Sequence, residues 1–156
     1  MTDLPKLLYG EGAFVRVPHI FEGLSLEQVS ARPTGAPHSI YEELWHTRFW
    51  QDFLLERARG GRPKAPEHAS GSWPQRSGPE SEADWQALVG AFMKGLDTAR
   101  ELARDPGRLE AKADESRTLR GVLENLAVHN AYHCGRVVLL RQLMGLWPPP
   151  SGGDSW

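Results

Sequence analysis

A chain of 156 residues is about the length that one hydrophobic core serves, so a single domain over 1–156 is expected and two full domains are excluded. Lys+Arg 18 against Asp+Glu 20 gives a net charge of -2, without the basic excess of a phosphate-binding surface, and nucleic acid is not an expected partner. Hydrophobic residues at 40% exclude a solvated disordered chain, no run approaches the roughly 18 apolar residues of a membrane span, and the opening MTDLPKLLYGEG lacks the apolar core of a secretory signal, so a soluble, cytoplasmic protein is expected.

From Asp3 to Leu24 apolar residues recur at 4, 7, 8, 14, 15, 17, 20, 21 and 24, interrupted by Gly10, Gly12 and Pro18; this predicts a broken helix. A second helix is predicted from Ser39 to about Arg59, with Ser39 and Glu42 as a capping box and Gly60-Gly61 as its end. His46 shares a face with Phe49, Trp50 and Phe53, which reads as an aromatic inward face. Arg62 to Glu80 is rich in Pro, Gly and Ser and holds Trp73-Pro74; a loop this long between helices predicts a lid or pocket rim. Ser81 with Asp84 caps a third helix through about Arg104, whose core face carries Trp85, Leu88, Phe92 and Leu96.

The last helix, Leu119 to about Met144, is the most clearly bounded, with Thr118 as N-cap, Gly145 just past its end and Pro148 to Pro150 beyond. At 100° per residue, Leu119, Val122, Leu126, His133, Val137, Leu140 and Met144 fall within about 40° of Leu126, and His129 lies at about 60°. One apolar stripe therefore contains two histidines. Four helices with one stripe each and no alternating strand predict an all-α four-helix bundle with a broken N-terminal helix.

His129 and His133 form an H-x3-H pair, and i, i+4 imidazoles on one helix face can reach the same cation. Spacing alone is weak evidence, since two core histidines bonded to polar neighbours would look the same. Two imidazoles on an apolar stripe must, however, be desolvated and satisfied together, and a shared cation does that directly. His46, on a separate helix, is the best third ligand, whereas His19, His38 and His68 sit in loop or Pro-containing segments. A zincin helix would need Glu after the first His, but the run is His129-Asn130-Ala131-Tyr132-His133. A di-iron bundle would need two E-x-x-H motifs, and Glu43 to His46 is the only one available in these helices.

Around this set, Asn130, Tyr132 and Arg136 are candidates to orient a substrate or a water. Glu42 and Glu43, one turn before His46, could serve as outer acceptor, base or fourth ligand, although solvated helix-face acids are the ordinary reading. Cys134 points about 100° away from His133 and reads as a packing residue. Gly135 costs about 1 kcal/mol inside a helix, which suggests close approach of another backbone, such as that of a second subunit.

Ser39-Ile40, Trp45-His46, Trp50, Trp73-Pro74, His129-x3-His133-x-Gly135 and Leu146-Trp147-Pro148-Pro149 together resemble the DinB-like family of DNA-damage-inducible, metal-binding four-helix bundles, over nearly the whole chain. The resemblance implies that His46, His129 and His133 bind one divalent metal ion, commonly zinc or nickel, and that the chain forms a homodimer. Arg136 stands where such sequences often carry Gln. Relatives include thiol S-transferases that use bacillithiol or mycothiol, which implies a small-molecule substrate and a low-molecular-weight thiol as cosubstrate. Three readings follow from the residues and the resemblance together: a metal-dependent thiol transferase of bacillithiol type, a hydrolase, and a noncatalytic metal-dependent stress-response or binding module.

Overall fold

Three long helices form where capping residue, apolar periodicity and terminating glycine agree. The computed structural model describes residues 3–152, and within them the long helices are α4 (Ile40–Ala58), α5 (Glu82–Ala103) and α7 (Leu119–Leu143). Short helical turns fill the rest: α1 (Leu4–Leu7), α2 (Val17–Ile20), α3 (Leu26–Ser30), α6 (Pro106–Leu109) and a 3-10 turn at Ala69–Ser72. Among the described residues no helix is long and apolar enough to cross a membrane.

The predicted caps are present. The Ser39 hydroxyl accepts from the Glu42 amide at 3.2 Å while the Glu42 carboxylate accepts from the Ser39 amide at 2.7 Å, satisfying two helix-end donors reciprocally. Ser81 and Thr118 accept from the Asp84 and Gly121 amides in the same way. Gly60 and Gly145 follow the ends of α4 and α7 with φ +85° and +69°, the left-handed conformation that closes a helix and that glycine adopts without penalty.

The N-terminal region is the expected broken helix, divided into separate short turns. Gly10 and Gly12 take φ values of 75° and 78°, which no continuous right-handed helix contains, and the chain reverses there. Pro18, read from the sequence as an interruption, instead sits in the first turn of α2, where its missing N–H costs nothing. A capping box at Ser25 and Gln28 starts α3, a short helix beyond those expected from the sequence.

α4 lies between α5 and α7, while α1 packs on α5 and α2 on α7. The short turns thus take the place of a fourth long helix. Phe21 sets its ring edge-on to Trp85 and Phe92 at centroid distances of 6.4 and 5.7 Å. The core face predicted for α5, Trp85, Leu88, Phe92 and Leu96, is buried. The face predicted for α4 is corrected: Ile40, Leu44, Thr47, Gln51 and Leu54 point inward, whereas Phe49, Trp50 and Phe53 are only half-buried. Packing against two neighbours selects that arc, and at its margin Trp45 stacks on Phe49 while Trp50 meets Phe53 edge-on.

Arg141 holds the irregular segments to the bundle. It is 2% exposed, and its guanidinium donates to the Ile20 carbonyl at 2.7 Å and to the Leu146 carbonyl at 3.1 Å. These bonds tie α2 and the turn after α7 to one side chain. Because hydrogen bonds from a charged donor are each worth about 1.5–3 kcal/mol, Arg141→Met is expected to lower stability by about 2–3 kcal/mol in urea unfolding. Limited proteolysis should then cut first before α3; unchanged stability and cleavage would remove Arg141 from this role.

Candidate metal centre

His46 comes from α4 and His129 and His133 from α7, and one donor atom from each lies within 4.8 Å of the others. The ring centroids are 5.5 Å apart for His46 and His129, and 4.6 Å for both pairs that include His133. These three can hold a metal ion.

Their hydrogen bonds decide which nitrogen is free. His46 Nδ1 lies 2.9 Å from the Ser72 carbonyl oxygen, which can only accept, so Nδ1 carries the proton and Nε2 keeps its lone pair. His133 Nδ1 lies 2.7 Å from Glu43 Oε2, and Arg136 Nε donates to Glu43 Oε1 at 2.7 Å. An ionised carboxylate also only accepts, so His133 is in the same tautomer. This pattern of imidazole, outer acceptor and free Nε2 is the one that metal-binding histidines require. The residues therefore fit a divalent cation.

The neutral imidazole is also favoured electrostatically. Burial, followed by the neighbouring His133 and His46, pushes the His129 pKa down to about 4. His46 is likewise lowered by burial, against the opposing pull of the Ser72 carbonyl. Burial alone would raise the Glu43 carboxyl, but the bonds from His133 and Arg136 outweigh it and hold that carboxyl below its usual value.

The loop between α4 and α5 completes the site. His46 sits at the edge of α4, about 120° from Ile40 at 100° per residue, yet it is only 8% exposed. The loop covers it: Ser72 accepts its proton, and Trp73 stacks on its ring at 3.9 Å with 14° between planes. Trp73 also stacks on His38 at 3.7 Å. Trp50 sets an edge to His46 at 6.5 Å, and Tyr132 sets one to His133 at 5.0 Å. The imidazoles are thus framed by Trp50, Trp73 and Tyr132.

Other residues singled out from the sequence fall in distinct places. Tyr132 is 62% exposed, and Arg136 Nη1 donates to its hydroxyl at 3.4 Å. Asn130 is buried and donates to Gln51 Oε1 at 3.0 Å. The reading of Glu42 and Glu43 as solvated acids is overturned, since both are buried; Glu42 caps α4 and pairs with Arg32, and Glu43 joins α4 to α7. Cys134 is buried, with its thiol pushed up to about 12 by burial, and it packs beside an apolar cavity of about 240 Å³ with Ile20 and Trp147. A Cβ at Gly135 would meet nothing within 4 Å, so among the described residues no other segment packs against it there. His19 pairs with Glu22 and His68 is exposed, outside the three-histidine group. Ser72 was missed, because a backbone carbonyl leaves no trace in residue type.

The sequence model of the DinB superfamily matches residues 11–137. The chain belongs to the DinB superfamily. No curated protein and no solved structure matches it. The match spans the three long helices up to Val137 and contains all three histidines of this DinB-superfamily site.

A pH dependence follows from His129. Its folded pKa of about 4 lies below the ordinary value of 6.5, so between these pH values the unfolded chain binds a proton that the native chain refuses. Stability is therefore full above 6.5 and is lost as pH falls toward 4. The thermal midpoint of the metal-free protein is expected to drop across this window, and less steeply in His129→Leu. An equal drop in both proteins would show that His129 does not contribute.

Proposed function

We propose that this DinB-superfamily protein binds one divalent metal ion, zinc or nickel, through Nε2 of His46, His129 and His133, and activates a small nucleophile there. The reaction we favour is transfer of a low-molecular-weight thiol of bacillithiol type to an electrophilic small molecule. The observation that carries it is the donor set: three imidazoles converge, while both oxygens of the nearest carboxylate, Glu43, are already engaged by His133 and Arg136. Three protein ligands with a position left for a small molecule is the pattern of catalytic sites, whereas structural sites are closed by a fourth.

A bound cation supplies Lewis acidity, favouring the anionic form of a thiol or water that it coordinates at neutral pH. The chain's own residues do the rest. Glu43 and the Ser72 carbonyl keep the protons of His133 and His46 on Nδ1 and hold the rings in orientation. Trp73, stacked between His46 and His38, and Trp50 would exclude water on the His46 side, and Trp50 would offer an apolar wall to an electrophile. Arg136 and the Tyr132 hydroxyl, at the exposed edge, would orient an anionic or polar group. A reducing cytoplasm, which supplies such thiols, also suits the single unpaired Cys134. Hydrolysis at the same site is the alternative reaction, and a noncatalytic metal-dependent module is the alternative class.

Metal analysis of protein purified without a His tag is expected to give one ion per chain in wild type and none in His129→Ala/His133→Ala. With bacillithiol, glutathione and cysteine tested against a chromogenic electrophile, metal-dependent turnover should be lost in His46→Ala and should show a raised KM in Trp73→Ala. Ester or amide hydrolysis without thiol transfer would replace the transferase reading with the hydrolase. Neither activity, with the metal out of reach of added ligands, would leave the noncatalytic module.

The homodimer is proposed on a second observation. Val128, Tyr132, Leu139 and Leu143 are each more than half exposed on α7, and Val128 and Tyr132 lie as far before the step from Gly135 to Arg136 as Leu143 and Leu139 lie after it. An antiparallel two-fold helix pair centred there would set Val128 against Leu143 and Tyr132 against Leu139. The open space beside Gly135 would allow the helices to approach closely. Light scattering at micromolar concentration is expected to give the mass of a dimer, and Leu139→Glu that of a monomer; a wild-type monomer would refute the pairing.

A further inference from the structure

Two of the three candidate ligands have an evident outer partner, and the third does not. His129 Nδ1 is buried and, among the described residues, has no hydrogen-bond partner. The same holds for Asn130 Oδ1, on the next residue of α7. When Nε2 of an imidazole binds a cation, Nδ1 must carry the proton. A buried donor on His129 and a buried acceptor on the adjacent residue, Asn130, would then both lack a partner, each at a cost in free energy.

The orientation of the Asn130 amide is fixed from a distance. The Phe92 carbonyl on α5 only accepts, and Gln51 Nε2 donates to it at 2.8 Å. Gln51 must therefore present Oε1 to α7, where Asn130 Nδ2 donates to it at 3.0 Å. That leaves the Asn130 oxygen as the end of the chain. The placement of Gln51 is built into the packing: a Cβ at Gly95 would meet Gln51 Nε2 at 1.9 Å, so only glycine on α5 leaves room for this amide. Gln51 and Asn130 are both at most 3% exposed, and polar groups so deeply buried are kept where they organise something.

We propose that Asn130 is a positioning residue for the metal: its Oδ1 accepts the Nδ1 proton of His129, and the series Phe92 carbonyl, Gln51, Asn130, His129 sets the tautomer and orientation of the third ligand. This inference rests on the proposed three-histidine metal site. It gives each imidazole its own outer acceptor, the Ser72 carbonyl for His46, Glu43 for His133 and Asn130 for His129. Each of the three long helices then contributes to the site, α5 through the Phe92 carbonyl and the gap at Gly95.

The test uses the full chain with zinc as probe, by competition against a chromogenic chelator and by two-bond proton–nitrogen spectra of the histidine rings. In zinc-loaded wild type the His129 Nδ1 proton should be visible and protected from exchange. Asn130→Leu combined with Gln51→Leu, which removes both amides and leaves no orphan between them, should weaken zinc binding by about 10–100-fold. It should also move or broaden the His129 proton while those of His46 and His133 stay in place. Asn130→Asp combined with Gln51→Leu, which keeps an acceptor oxygen beside His129 and removes the Gln51 oxygen that would oppose it, should retain the His129 proton and most of the affinity. A wild type that binds no zinc would overturn the metal reading itself. Tight zinc binding with a His129 Nδ1 proton that exchanges freely in wild type would overturn the role of Asn130 alone, and that measurement stands even if the double variant does not fold.

Discussion

The carboxylate of Glu43, with no exposed side-chain surface, is the constraint on which the arrangement of α4 against α7 depends. Removing a carboxylate from water costs several kcal/mol even after relaxation, and it is tolerated only when its lone pairs are satisfied. Here one oxygen accepts a hydrogen bond from His133 and the other from Arg136, both on α7. The two helices cannot slide or rotate by a turn without leaving an uncompensated charge, so apolar packing sets their contact and this group sets their register. The same bond fixes which nitrogen of His133 faces His46 and His129. Helix register and site chemistry therefore rest on one interaction.

The loop from α4 to α5 makes the complementary contribution. His46 would stand at the margin of its helix, half in water, if the chain ran directly from α4 to α5. Instead the 3-10 turn at Ala69–Ser72 brings a carbonyl to its Nδ1, and Trp73 lies flat on the ring. A backbone acceptor is a robust device for this purpose, because it depends on the path of the chain and not on the identity of Ser72. The loop acts as a wall of the site and, through the Ser72 carbonyl, as an organiser of it.

The long helices and the three histidines were legible in the sequence because each rests on local rules: capping residues three positions from their partners, period-3.6 apolar stripes, and i, i+4 spacing on one face. The aromatic run of α4 misled for the opposite reason. Phe49, Trp50 and Phe53 share a face with His46, but which face turns inward is decided by α5 and α7, and they select the arc of Leu44, Thr47 and Gln51. Glu43 was misread on the same ground, since a lone sequence shows a helical acid and not the Arg136 and His133 that meet it from 90 or more residues away. The break of the N-terminal segment at Gly10 and Gly12 was legible too, but the length of each turn was not, because the backbone angle of a glycine leaves no trace in residue type.

The charge inventory of the site bears on what can enter it. Glu43 and Arg136 neutralise one another, and the neutral imidazoles add nothing, so a bound divalent cation would leave the site with a net charge close to +2. A neutral ligand would leave that charge uncompensated beside aromatic walls, where water is scarce and Coulomb interactions are strong. An anionic sulfur or oxygen would offset half of it, and a second negative group reaching Arg136 and the Tyr132 hydroxyl at the exposed edge would offset more. The burial that disfavours a proton on His129 would, on the proposed metal site, likewise favour a small anionic ligand over a neutral one, with Trp50 bordering it on an apolar side.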